Sequence, residues 1–202
     1  NEDRAKTFWH GAAMARSLER AGAASRFDFA ILSDTNDERI AAKEEFWLVR
    51  LKEEVGDACR IFYRRRTANI GKKAGNIADF IKTSGALYDY LIILDADSLM
   101  EGETMMEMVR RMEADPKLGL LQSLPKVIRA RSFFGRAIQF SASYYSPVYA
   151  RGLAMLQGRE GPFWGHNAIV RTRAFAGSCG LPQLSGKPPF GGHILSHDYV
   201  EA

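Results

Sequence analysis

Four places in the chain carry residue types and spacings able to do chemistry. The first is Leu91-Ile92-Ile93-Leu94-Asp95-Ala96-Asp97-Ser98, an apolar run ending in two carboxylates. In extended chain, residues two apart point to the same side, so Asp95 and Asp97 are expected to face one point just past a strand. Carboxylates held that close repel each other, and a cation between them relieves the repulsion. Mg²⁺ or Mn²⁺ suits such a pair, because these ions combine one or two carboxylates with waters and the oxygens of a phosphate ligand. The competing reading makes the two residues caps for a helix beginning near Glu103. A cap needs one such side chain and not a pair, which favours the metal–diphosphate reading.

The second place is Ser33-Asp34, after the apolar run 27–32. Asp34 could accept hydrogen bonds from a base N–H or a ribose hydroxyl. Spacing alone serves an Asx turn, or a cap leading into the next helix, equally well. The third is the basic stretch Arg64-Arg65-Arg66-Thr67-Ala68-Asn69-Ile70-Gly71-Lys72-Lys73-Ala74-Gly75-Asn76. Cations followed by small residues at a helix start let backbone N–H groups and Lys73 approach a phosphate. No Gly-rich phosphate-loop or dinucleotide fingerprint is present. RNA binding would call for interleaved exposed aromatics, and nearby Phe62 and Tyr63 read as core strand, so no nucleic-acid partner is expected. The fourth is His193-Ile194-Leu195-Ser196-His197-Asp198. Its two histidines lack the Glu of a zinc-protease helix. Asp198 reads either as a general base for a hydroxyl or as a helix cap.

The chain has 202 residues, with apolar residues at 46% and charged residues at 26%, which fits one globular domain and excludes disorder and coiled coil. Net charge is +4, yet six cations and no carboxylate lie between positions 60 and 73, and the remainder balances at −2. A local anionic ligand accounts for that better than general nucleic-acid affinity. Cys59 and Cys179 are too few for a disulfide framework, which points to a reducing compartment. No stretch reaches the length of a membrane span, so the segment is expected to be soluble. It opens at Asn1-Glu2-Asp3 without an initiator Met and stops at Val200-Glu201-Ala202 in what reads as a helix start, as an excised domain would.

Positioning these residues requires strands and helices in alternation. The pattern predicts helices over 7–21, 38–54, 75–82, 103–114 and 133–156, and strands over 27–32, 60–63, 90–94, 119–122 and 168–170. That order predicts an α/β fold, a mainly parallel sheet flanked by helices in a single domain over 1–202, with ligands at the carboxyl ends of the strands.

The ordered set of Asp34, Lys73-Ala74-Gly75-Asn76, Asp95-Ala96-Asp97, Gln122-Ser123-Leu124-Pro125, Phe163-Trp164-Gly165-His166-Asn167-Ala168 and Ser196-His197-Asp198 resembles a family. It is similar to the family 2 glycosyltransferases of the GT-A (Rossmann-like) fold, on the processive, cellulose-synthase-like side. The resemblance covers essentially the whole chain. It implies UDP-glucose as donor, a growing β-glucan as acceptor, and inversion at the anomeric carbon. Carried over residue by residue, it sets Glu2 and Asp34 beside the uridine and Lys73 near the phosphates, with Asn76 among the nucleotide- and donor-binding residues. Asp95 and Asp97 would hold Mg²⁺ or Mn²⁺ on the diphosphate. Gln122, His166 and Asn167 would border donor sugar and acceptor, with Asp198 as catalytic base. It also implies a parent protein on the cytoplasmic face of the bacterial inner membrane, with transmembrane helices outside this segment.

Two departures stand out. His197 replaces the Glu that the family carries before the base, and the family's downstream Gln-x-x-Arg-Trp motif is absent, since Trp9, Trp47 and Trp164 each follow Phe. Without that motif the 202 residues are expected to turn over weakly or not at all. The rival readings are a sugar nucleotidyltransferase, which would begin with a Gly-rich phosphate loop not found near Thr7, and a non-catalytic nucleotide- or glucan-sensing domain, which would not need Asp198.

Overall fold

The computed structural model describes residues 4–178, 184–187 and 191–192. Chain direction changes where capping residues and glycines stand. Helix α1 (Arg4–Arg20) stops ahead of Gly22, whose φ of 67° few side chains tolerate. A 3₁₀ turn then leads into strand β1 (Asp28–Ser33). Asp37 caps helix α2 (Glu38–Val55) by accepting the Arg39 N–H at 2.8 Å, and Gly56 ends it. Strand β2 (Arg60–Arg65) runs parallel to β1, in register from Asp28 opposite Arg60 to Ser33 opposite Arg65. Helix α3 (Lys72–Ser84) follows, then strand β3 (Tyr90–Ile93), helix α4 (Gly102–Ala114), strand β4 (Leu120–Gln122), helix α5 (Phe133–Gln157), strand β5 (Ala168–Arg171) and helix α6 (Thr172–Ser178).

The strands form two ladders. One is the parallel pair β1–β2, and the other has the order β3-β5-β4 with β5 antiparallel to both neighbours. The α/β alternation therefore stands. The expectation of a mainly parallel sheet is corrected: among the described strands, parallel hydrogen bonding joins β1 and β2 alone. Direction depends on which edge of the sheet the chain re-enters. After α5 it re-enters beside the end of β4, so β5 must run backwards, and the apolar run of β3 is compatible with either arrangement.

The larger core gathers α1, α2, α4 and the sheet around Leu18 and Met112, both wholly buried, and Ile169. A second cluster holds Phe163, Ala168, Val170 and Phe175 on the other side of β5. Gly102 permits the close crossing of α1 and α4, because a Cβ there would lie 2.6 Å from the Ser17 carbonyl oxygen. The Gly102 N–H instead donates to Ser17 Oγ at 2.9 Å. At the far end of β5, Arg171 donates to the carbonyls of Met112, Asp115 and Leu118, satisfying groups left open where α4 ends. These contacts leave one edge for chemistry: the carboxyl ends of β1 to β4 and the start of β5.

Candidate active site

Asp34 stands just beyond β1, with a side chain 20% exposed. It does not cap α2, which Asp37 does. Its carboxylate accepts Arg66 Nε at 2.7 Å, Arg66 Nη2 at 2.8 Å and Asn76 Nδ2 at 2.8 Å. Arg66 is a residue the sequence reading had grouped with its neighbours, and the structure makes it the joint of this edge. Its remaining N–H groups reach the Ile70 carbonyl (3.0 Å), the Lys72 carbonyl (3.0 Å) and Asp79 Oδ2 (2.9 Å). A guanidinium has five donors, and all five are matched. The Asp34 hydrogen bonds hold it charged, above the usual arginine range, against the opposing effect of burial.

The basic stretch is thus not one anion-binding patch. Strand alternation divides it between two helices. Arg64 and Arg66 reach Asn76 and Asp79 on α3, while Tyr63 and Arg65 reach Glu44 and Glu38 on α2. Arg60 forks onto Asp28 of the neighbouring strand, so five of the six cations meet partners within the chain. Asn76 is 5% exposed, its amide nitrogen is given to Asp34 and Leu32, and its oxygen accepts from Arg64. Its Nδ2 is one of three donors on the Asp34 carboxylate.

Lys73, in the first turn of α3, is the cation that reaches the strand edge. Its ammonium donates to Asp95 Oδ1 and, at 2.7 Å, to the Gly165 carbonyl. Residues 95–98 form a turn closed by the Ser98 N–H on the Asp95 carbonyl, rather than the extended chain the alternation argument assumed. Neither carboxylate caps α4, whose N-cap position is Glu101. Asp95 is half-buried and Asp97 exposed, both at the open end of β3. Among the described residues no cluster of three or more His, Cys, Asp or Glu is assembled. Two carboxylate groups, one already drawing an ammonium ion, fit a hard divalent cation whose other ligands come from a phosphate chain and water.

Gln122, the last residue of β4, faces the 163–167 loop across the same edge. Its Oε1 accepts the Trp164 N–H at 3.0 Å, and the Asn167 carbonyl accepts both the N–H and the Oγ of Ser123 at 2.9 Å. These bonds hold Asn167 at φ 53°, in the left-handed region. Three buried polar atoms here have no partner in the protein: Gln122 Nε2, His166 Nδ1 and Asn167 Oδ1. The structure therefore brings Asp34, Lys73, Asn76, Asp95, Asp97, Gln122, His166 and Asn167 to one edge. Glu2, His193, His197 and Asp198 lie outside the described residues. Asp79 was missed because it acts as the partner of a buried arginine, which residue spacing does not mark, whereas Ser123, Trp164 and Gly165 stand in the quoted motifs and meet their partners through main-chain groups and, for Ser123, also its Oγ.

A two-ladder α/β domain with carboxylates and a lysine at the strand ends matches the family model of glycosyl transferase family 2 over residues 50–177, more than half of the chain, and the chain belongs to that family. It is 65% identical over its whole length to a glucans biosynthesis glucosyltransferase H of Cereibacter sphaeroides. It is 50% identical to the protein of that name from a Shewanella species (strain ANA-3), and 48% to that of Shewanella baltica. The chain spans 34% of the length of the Cereibacter protein and 28% of the Shewanella ones. No helix among the described residues is long and apolar enough to cross a membrane.

Proposed function

We propose that this chain is the donor-binding and catalytic core of an inverting glucosyltransferase, moving glucose from UDP-glucose onto a growing β-glucan, the backbone of osmoregulated periplasmic glucans. The observation that carries this reading is the trio of unmatched buried polar atoms on Gln122, His166 and Asn167, beside Lys73 and Asp95. Buried polar atoms are almost always matched. A side-chain amide donor, an amide acceptor and an imidazole nitrogen left open together suit a ligand whose groups both donate and accept, as the hydroxyls of a hexose do.

In this reading the uridine lies beside Asp34 and Glu2. The Lys73 ammonium leaves Asp95 for the diphosphate, and Asp95 and Asp97 are the carboxylates that would hold a divalent cation. The acceptor oxygen attacks C1 from the face opposite the UDP while the Asp198 carboxylate takes its proton. The C1–phosphate oxygen bond breaks, the electron pair leaves with UDP, and Lys73 stabilises the charge gathering there. A bound Mg²⁺ or Mn²⁺ would supply further neutralisation of that charge.

Calorimetry on this chain tests the reading without requiring turnover. UDP is expected to bind, more tightly with Mn²⁺, and GDP and ADP more weakly. Asn167→Gly keeps the left-handed backbone but removes the amide. It is expected to leave UDP affinity unchanged and to weaken UDP-glucose by about tenfold, the worth of one hydrogen bond of about 1.4 kcal/mol. Absence of UDP binding in the presence of Mn²⁺ would overturn the proposal.

A further inference from the structure

Glu44 stands in the second turn of α2, only 3% exposed, and no step of the reaction above uses it. A carboxylate taken out of water needs donors around it. Two of its donors are hydroxyls from adjoining strands, and both meet the same oxygen. Ser33 Oγ donates to Glu44 Oε2 at 2.6 Å, and Tyr63 Oη donates to it at 2.9 Å. An ionised carboxylate only accepts, so both hydroxyl protons are committed to it. Burial, and then the bond to Glu44, push the Tyr63 phenol up, which keeps it a donor.

The Ser33 bond matters for where it leads. Ser33 ends β1, is 7% exposed and directly precedes Asp34. With its proton given to Glu44, the Ser33 oxygen has its lone pairs free for the Thr35 N–H, which it accepts at 3.3 Å. That bond closes a short turn around Asp34, of the kind serine side chains make with the backbone two residues on. The Ser33 carbonyl accepts the Arg66 N–H at 3.1 Å. Asp34 is thus held twice. Arg66 and Asn76 fix its carboxylate, while its main chain is fixed from α2 through Ser33. A serine hydroxyl without a fixed acceptor rotates among staggered positions and closes such a turn only part of the time.

We propose that Glu44 is a positioning residue for the nucleoside end of the site, setting Asp34 through the Ser33 hydroxyl. The proposal rests on the donor reading of the site, in which Asp34 lies beside the uridine. Tyr63 supplies an internal control. Its hydroxyl meets the same carboxylate oxygen, but it comes from the middle of β2 and does not adjoin Asp34.

The test is calorimetry of the 202-residue chain with UDP and Mn²⁺, well below the melting temperature of each variant. Ser33→Ala and Tyr63→Phe each take one donor from Glu44, and each is expected to lower the melting temperature. Ser33→Ala is expected to weaken UDP by about tenfold, the worth of one hydrogen bond, and Tyr63→Phe by less than about twofold. Glu44→Gln keeps an acceptor but loses its charge, and is expected to weaken UDP by about threefold. In the Ser33→Ala background it is expected to add nothing, because both changes act through one bond. Unchanged UDP binding by Ser33→Ala would overturn the proposal. An equal loss in Tyr63→Phe, or full additivity of Ser33→Ala with Glu44→Gln, would overturn it too. Should Ser33→Ala not fold, the contrast of Glu44→Gln with Tyr63→Phe decides in the same way. A parent chain that does not bind UDP would instead overturn the donor reading, and the proposal with it.

Discussion

Arg66 shows how one side chain can be structural and still govern a site. It is 9% exposed and carries a charge that burial opposes, so each of its bonds matters. Those bonds run to β1 through Asp34, to its own loop through Ile70 and Lys72, and to α3 through Asp79. Lysine has the charge but three donors on a tetrahedral head, and it cannot fork onto Asp34. Arg66→Lys is expected to cost about 2–4 kcal/mol in urea denaturation, the worth of several buried charged hydrogen bonds. Because Asp34 and the start of α3 at Lys72, which precedes Lys73, would lose their common tether, UDP affinity is expected to fall as well. A variant as stable as the parent would show that the fivefold pairing is not what holds this edge together.

The elements were legible where local chemistry decides them and illegible where neighbours do. Asp37, Gly22 and Gly56 announce helix ends by their own conformational preferences, and helices α2 and α4 fall within a residue or two of the predicted bounds. Strand β2 extends two residues past its predicted end, because Arg64 and Arg65 find partners on α3 and α2 that composition does not reveal. Asp95 and Asp97 stand at the open end of β3, where residue type and spacing put them, although a turn at 95–98 replaces extended chain. Gly75 was read only as a small residue at a helix start, yet a Cβ there would lie 2.0 Å from the Ile70 carbonyl oxygen and 3.3 Å from Arg66 Nη1. Backbone cannot yield as a side-chain end can, so Gly75→Ala must open the loop that Arg66 closes. A loss of about 3 kcal/mol is expected, at the upper end for overpacking, read as a melting temperature lower by roughly 6–12 °C. Lys73, two residues away on the same first turn, would shift with it, so the stability loss is expected to come with weaker UDP binding.

Across the whole molecule, burial is distributed very unevenly, and local stability must follow it. Ala168, Ile169 and Val170 of β5 are wholly buried between two clusters, whereas α5 buries nothing over 25 residues and contains Pro147. Proline has no N–H to give the carbonyl four residues earlier, so the helix also lacks a hydrogen bond at Ser143. A helix with so little tertiary packing leans on its intrinsic propensity, which is marginal in water. Native-state hydrogen exchange is therefore expected to split the chain. Amides of β5 would exchange only through global unfolding, while those of α5 would show protection factors below about 100. Uniform protection would mean that α5 is held by contacts its exposed aromatic face does not suggest.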